Sequence, residues 1–251
     1  MDIAKHTFFV TGANSGLGKA TTRHLIKLNA NVVGADLIID EAQQIAPESL
    51  FIHMDVTNVE SIEAALTKAI KRFGTIHGLI NCAGILVAER ILKKDGTLFC
   101  LENFRRCLDV NLVGTFNMIR LVTTLLSRNT PNSNGECGII INTSSIAAFE
   151  GQVGQVAYAA SKAGINGMTL PLSRELADFG IRVMAIAPGI FSTPLLAGVN
   201  ITQSKNLEQQ TPFPRRLGQP SDYAVLVQHI IENPMLNGEV IRLDGALRLT
   251  F

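Results

Sequence analysis

Short apolar runs and amphipathic stretches alternate along most of the chain. Runs at His6–Val10, Asn31–Ala35, Leu50–Met54, Gly78–Ile80, Gly138–Ile141, Ile181–Ala187 and Val240–Leu243 have the length of strands. Between them, Lys19–Leu28, Ser61–Phe73, Glu102–Ser127, Ile165–Phe179 and Ser221–Glu232 have helical spacing. Strands that stay apolar from end to end, instead of alternating with polar residues, are covered on both faces. The alternation of strand and helix predicts a doubly wound α/β sheet, parallel, with right-handed crossovers and helices on both sides.

Composition narrows this further. Hydrophobic residues make up 47% of the 251 positions and charged residues 17%, enough to fill a large core. No linker or charge run divides the chain, so residues 1–251 are read as one domain, with a substrate loop at about 190–215. A net charge of +1 gives no electrostatic case for nucleic acid or an anionic membrane. No apolar run reaches the ~18 residues of a membrane span. Cys82, Cys100, Cys107 and Cys137 are scattered without a CxxC pair, which argues against a metal site or disulfide framework and suits a reducing compartment. The first strand starts close to Met1 and leaves no room for a presequence. The expected location is the cytoplasm, or the mitochondrial matrix for the mature form of a eukaryotic protein.

The first strand ends in Gly12-Ala-Asn-Ser15-Gly16-Leu17-Gly18, and a helix follows. Strand, glycine turn and helix in that order form a dinucleotide fingerprint of the Rossmann type. Gly12 permits the tight turn, Gly16 lets the backbone approach a pyrophosphate, and Gly18 lets helix pack on strand. Free N–H groups at the helix start face the anion. Asp36 closes the second strand, placed to accept hydrogen bonds from ribose hydroxyls and to repel a 2′-phosphate. No arginine follows it, and Ser15 occupies a position where a basic side chain could meet that phosphate, so NAD is expected over NADP. Asp55 and Val56 end the third strand, where an acid could meet the adenine amino group or cap the next helix. Asn81-Cys82-Ala83-Gly84 ends the fourth, where small residues leave room for a ligand. The Cys82 thiol reads as buried filler.

The stretch Asn142–Lys162 carries the candidate chemistry. Tyr158 and Lys162 are four apart at a helix start and share a face. A cation one turn away is expected to lower the phenol pKa from about 10, tuning it for proton transfer. Ser145, on the preceding loop, could hydrogen-bond the same substrate oxygen. Pro188-Gly189-Ile-Phe191-Ser-Thr193 turns sharply and could close over a cofactor ring, and Leu195–Pro214 reads as a lid. The long connection from Gly84 to Asn103 is of the kind that is functional or mobile. Asn111, polar within an apolar helix, wants a partner and could hold a water or simply be satisfied in the core.

These motifs, in this order over nearly the full length, resemble the short-chain dehydrogenase/reductase family. The resemblance implies a nicotinamide-dependent oxidoreductase, usually a homotetramer, with a catalytic tetrad at Asn111, Ser145, Tyr158 and Lys162. It further implies that Thr193 anchors the nicotinamide carboxamide and that Asn111 supports a water-borne proton relay. Cys82 departs from the family's usual asparagine pair. Within the family, INTSSIAAFEGQVGQVAYAASKAG, IAPGIFSTPLL and ENPMLNGEVIRLDGA resemble the branch acting on 3-hydroxyacyl-CoA thioesters. The implied partner is a small-molecule acyl-CoA or alcohol substrate, with contacts expected at Gln152, Gln155 and the lid. Alternatives are a 3-oxoacyl-[acyl-carrier-protein] reductase, whose usual NADP is opposed by Asp36, another alcohol dehydrogenase, or a cofactor-binding scaffold.

Overall fold

Seven strands form one wholly parallel sheet in the order β3-β2-β1-β4-β5-β6-β7. They are β1 (Thr7–Thr11), β2 (Asn31–Asp36), β3 (Ser49–His53), β4 (Gly78–Asn81), β5 (Gly138–Thr143), β6 (Ile181–Pro188) and β7 (Val240–Leu243). The structure is a computed structural model that describes residues 1–39, 47–196 and 210–249. Most of the Leu195–Pro214 lid lies outside the described residues.

Each expected strand is present within a residue or two. Every residue of β1 and of β6 is buried, which explains their largely apolar runs. Side chains still alternate between faces. Phe8 and Val10 pack with Leu25, Tyr223 and Val227 on one side of the sheet. Phe9 packs with Ile62, Leu66, Met118 and Val122 on the other. Helices α1 (Gly16–Lys27) and α6 (Pro220–Glu232) pack on each other over the first face. Helices α2 (Val59–Phe73) and α4 (Gly114–Leu126) cover the second, joined by the carboxyl half of α5 (Val156–Glu175). The strand order reverses between β1 and β4, and that crevice is where a doubly wound sheet binds ligands.

Two features were not legible in the pattern. The expected helix Glu102–Ser127 is α3 (Leu101–Leu108), a π-helical turn at Asp109–Val113, then α4. The wider turn buries Asn111 completely. Gly114 lies so near the segment after β3 that an added Cβ would lie 2.7 Å from a Val56 methyl. The second feature is a buried ion pair. Arg182 of β6 donates to Glu136 at 2.7 Å and to the Ile230, Ile231 and Leu236 carbonyls. A cation there complements the carbonyl end of α6 and ties it to the sheet. Neither Asp55 nor Thr57 caps α2. That position is held by Asn58, whose side chain accepts the Ser61 N–H at 2.7 Å, while Asp55 accepts from Thr57.

Candidate active site

A cavity of about 1110 Å³ opens along the carboxyl ends of the strands. That is at the upper end of ordinary ligand pockets, room for a dinucleotide and a substrate together. Its floor is the glycine turn. Gly12 (φ +65°) and Gly16 (φ +48°) adopt left-handed backbone, as a tight turn requires. An added Cβ on Gly12 would lie 2.8 Å from the Ala83 nitrogen, and one on Gly18 would lie 2.2 Å from the Gly12 carbonyl oxygen. β1, the turn and the end of β4 are thus in backbone contact. The Thr11 hydroxyl fixes that junction by accepting the N–H groups of Cys82 and Ala83, both at 3.1 Å.

Gly12, Ser15, Gly16 and Leu17 line the cavity, and so do Asp36, Asp55, Val56, Cys82, Ala83 and Gly84. Gly18 lies beneath the turn instead, as a packing position. Asn81 does not reach the cavity either: it is buried, and its amide donates to Asn142 at 2.9 Å. One Asp36 oxygen accepts the Asn14 N–H at 2.9 Å, which seats the carboxylate beside the turn. Cys82 contacts Thr143 and Tyr223, and burial pushes its thiol above the ordinary range. Such a thiol is a filler, not a nucleophile.

At the other end, Ser145, Gln152, Gln155, Tyr158 and Lys162 converge with Pro188, Gly189, Phe191 and Thr193. Tyr158 stands in the first turn of α5, and Lys162 follows one turn later. Ser145 begins a 3-10 turn after β5, and its hydroxyl is a neighbour of the Tyr158 phenol that pulls the phenol pKa down. The Thr193 side chain packs over the glycine turn, 3.3 Å from where a Gly16 Cβ would stand. Gln155 turns back on its own loop and accepts the Gln152 N–H at 3.1 Å.

The electrostatics differ from the simple expectation. The net shift of the Tyr158 phenol is upward, not downward. Burial raises the phenol pKa, the neighbouring Ser145 hydroxyl opposes that, and the Cys107 sulfur adds a smaller upward push. Tyr158 is half-buried and lines the cavity. Lys162 is 4% exposed, and burial lowers its ammonium to about 8 against a small opposing pull from Cys82 and Cys107. Its ammonium donates to the Thr143 carbonyl at 2.8 Å and lies 5.7 Å from the centre of the Tyr158 ring. Desolvation acts on both groups more strongly than their mutual attraction.

Asn111 is not part of the cavity wall. Its amide oxygen accepts the Ile85 N–H at 2.8 Å, and its nitrogen donates to the Ile85 carbonyl at 2.9 Å and to Ser161 at 3.1 Å. This two-point grip holds the connection after β4 against α5.

Several lining residues escaped sequence reasoning. Thr143 supplies the Lys162 acceptor, and the rule that ligands sit at carboxyl ends of strands could have found it. Arg105, Arg106 and Val110 face the cavity from α3 and the π-helical turn, and Leu249 does so from beyond β7. Nothing local in the sequence marks them.

The glycine cradle leaves the backbone bare where a pyrophosphate would lie, and the residues present fit a bound nicotinamide dinucleotide. A parallel sheet with this cradle and a Ser–Tyr–Lys cluster at its carboxyl edge defines a dehydrogenase of the short-chain class. The family model described as short chain dehydrogenase matches residues 6–204, and the chain belongs to that family. It is 52% identical to the 3-hydroxyacyl-CoA dehydrogenase type-2 of Homo sapiens, over 96% of this chain and 94% of that protein. It is 48% identical to the Drosophila melanogaster protein of the same name, over 96% of each. The crystal structure of 3-hydroxyacyl-CoA dehydrogenase type-2 from Mycobacterium avium superposes with a TM-score of 0.92 at 36% identity, covering 100% of this chain and 99% of that one.

Proposed function

We propose that the protein is an NAD-dependent 3-hydroxyacyl-CoA dehydrogenase, interconverting a secondary hydroxyl and a ketone. The observation that carries the reading is the convergence of Ser145, Tyr158 and Lys162 at one end of a cavity whose other end is the glycine cradle. Similarity to relatives of that name over nearly the whole chain supports the thioester as substrate.

NAD, when bound, supplies the hydride acceptor, and NADH the donor. Tyr158 takes the hydroxyl proton during oxidation and returns it to the carbonyl oxygen during reduction. Ser145 hydrogen-bonds the same oxygen and holds it against the phenol. Lys162 brings a positive charge to the site and holds the end of β5 through the Thr143 carbonyl. Asn111 is a positioning residue that sets the Gly84–Ile85 wall. Gly12, Ser15, Gly16, Leu17, Asp36, Asp55, Val56, Cys82, Ala83 and Gly84 bind the adenosine and pyrophosphate half. Pro188, Gly189, Phe191 and Thr193 bind the nicotinamide half, and Gln152 and Gln155 contact the substrate. Asp36 disfavours a 2′-phosphate and selects NAD.

The reading treats residues 1–251 as one working unit, with the segment at about 190–215 closing over substrate. It includes a homotetramer, the assembly that the family resemblance implies. It places the enzyme in a reducing compartment, supported by four free cysteines. Among the described residues, no helix is long and apolar enough to cross a membrane.

The test is initial-rate oxidation of NADH with acetoacetyl-CoA, with NADPH in parallel. Turnover with NADH at least tenfold above NADPH is expected. Binding of NADH without turnover of the thioester would overturn the substrate assignment, and equal use of NADPH would overturn the role of Asp36.

A further inference from the structure

One cavity-lining residue comes from far outside the catalytic segments. Among the described residues, only Leu249 reaches the cavity from beyond β7. It is held there by an ionic cluster that the dehydrogenase chemistry does not use. Glu150 lies between Ser145 and Gln152, both cavity residues. One of its carboxylate oxygens accepts the Leu249 backbone N–H at 2.9 Å, and the other accepts from Arg242 at 2.8 Å.

Arg242 uses its whole guanidinium in the same cluster. Its Nε donates to Asp244 at 2.7 Å and its second terminal nitrogen to the Leu247 carbonyl at 3.0 Å. The guanidinium carbon stands 5.2 Å from the centre of the Phe149 ring. Arg248 joins through Asp244 at 3.2 Å. Leu247 is buried, which anchors the segment from below. Asp244 in turn backs the cofactor turn: a Cβ on Gly189 would lie 2.8 Å from the Asp244 Cβ. The segment after β7 is therefore bound to the Ser145 loop and to the Pro188-Gly189 turn at once.

We propose that Leu249 is a specificity-determining wall of the substrate end of the cavity, fixed by Glu150 and Arg242 as positioning residues. An apolar side chain there meets the apolar part of a substrate, beyond the carbon that reacts. Each buried methylene changes binding about fourfold, so a wall at a fixed distance reads chain length. The inference rests on the proposed hydroxyacyl-CoA reading for its natural substrate. Its geometry applies to any ketone that enters the same end.

The experiment compares kcat/KM for a long and a short substrate in Leu249→Trp, Leu249→Met and Glu150→Ala. One pair is 3-oxodecanoyl-CoA and acetoacetyl-CoA. The other is 2-decanone and 2-butanone. The expected result is a fall of at least tenfold in the long-to-short ratio for Leu249→Trp. For Glu150→Ala the ratio should shift at least threefold, through KM for the long substrate and with the KM for NADH unchanged. Leu249→Met, of similar volume, should keep the ratio within twofold. Ratios within twofold of wild type in both Leu249→Trp and Glu150→Ala would overturn the proposal. Failure of wild type on both thioesters would instead overturn the hydroxyacyl-CoA reading, and the ketone pair would then decide the role of Leu249.

Discussion

The Lys162 ammonium points at the Thr143 carbonyl, 2.8 Å away, and stands 5.7 Å from the centre of the Tyr158 ring. The lysine is therefore held by the end of β5, and burial lowers it to about 8. Reduction of a ketone needs both the protonated phenol and the lysine charge. The kcat/KM for the carbonyl substrate should be flat below about pH 8 and fall above it. Lys162→Arg, which stays charged, should move that break upward by at least one pH unit. A break that stays in place would show that another group titrates.

The same burial has a stability consequence. The unfolded lysine titrates near 10.5 and the folded one near 8, so the unfolded chain binds more protons between those values. The penalty is full below pH 8 and disappears as the pH rises to 10.5. It amounts to roughly 3 kcal/mol before the lost hydrogen bond to Thr143 is counted. Lys162→Met should raise the thermal midpoint of the ligand-free protein at pH 7 and give no gain at pH 10.5. Chemical denaturation at the two pH values would check it.

Tyr158→Phe removes only the phenol oxygen, from a residue whose ring contacts persist. Turnover should fall at least a thousandfold, while the Kd for NADH, read by fluorescence, stays within about threefold. Turnover like that of wild type would remove Tyr158 from the proton-transfer role.

Gly18→Ala should damage both stability and cofactor binding. A Cβ 2.2 Å from the Gly12 carbonyl oxygen meets backbone that cannot rotate away, so α1 must lift from the turn. Overpacking of this kind costs about 1–3 kcal/mol. NADH affinity should fall at least tenfold, measured together with the denaturation midpoint.

His77 should weaken the fold in acid. Burial, with His6 beside it, lowers its pKa to about 4. Its Nδ1 accepts the Thr7 N–H at 3.0 Å, a bond that protonation breaks. The unfolded ring takes its proton near 6.5, so this contribution is whole above pH 6.5 and is lost as pH falls toward 4. His77 is only half-buried, and solvent screening reduces the effect to about 1 kcal/mol. His77→Asn, which keeps an acceptor, should flatten the decline in thermal midpoint between pH 6.5 and 4.

Much of the fold was legible because burial on both faces leaves a plain mark. β1 and β6 are largely apolar and wholly buried, with Arg182 the charged departure from the pattern, paired to Glu136, and each lies in the interior of the sheet. The glycine turn was legible for a similar reason: only glycine fits where Gly12, Gly18 and the end of β4 touch. The order of Ser145, Tyr158 and Lys162 placed them at one strand end and one helix start. Asn81 and Gly18 were read as ligand contacts because they stand within motifs that touch the cavity. The Asn81 side chain turns inward to Asn142, and Gly18, with no side chain, is pressed against the Gly12 carbonyl beneath the turn.

By itself, the sequence determined the features that local physics dictates: seven strands in alternation with helices, a turn that only glycine permits, and a tyrosine and lysine on one helix face. The tertiary structure decided everything that depends on bringing distant segments together. It set the balance in which desolvation outweighs the attraction between Tyr158 and Lys162. It used Asn111 to grip Ile85, placed Arg182 under the end of α6, and carried Leu249 to Glu150, ninety-nine residues away in the chain. Burial and long-range hydrogen bonds are properties of the assembled fold, and no spacing along the chain encodes them.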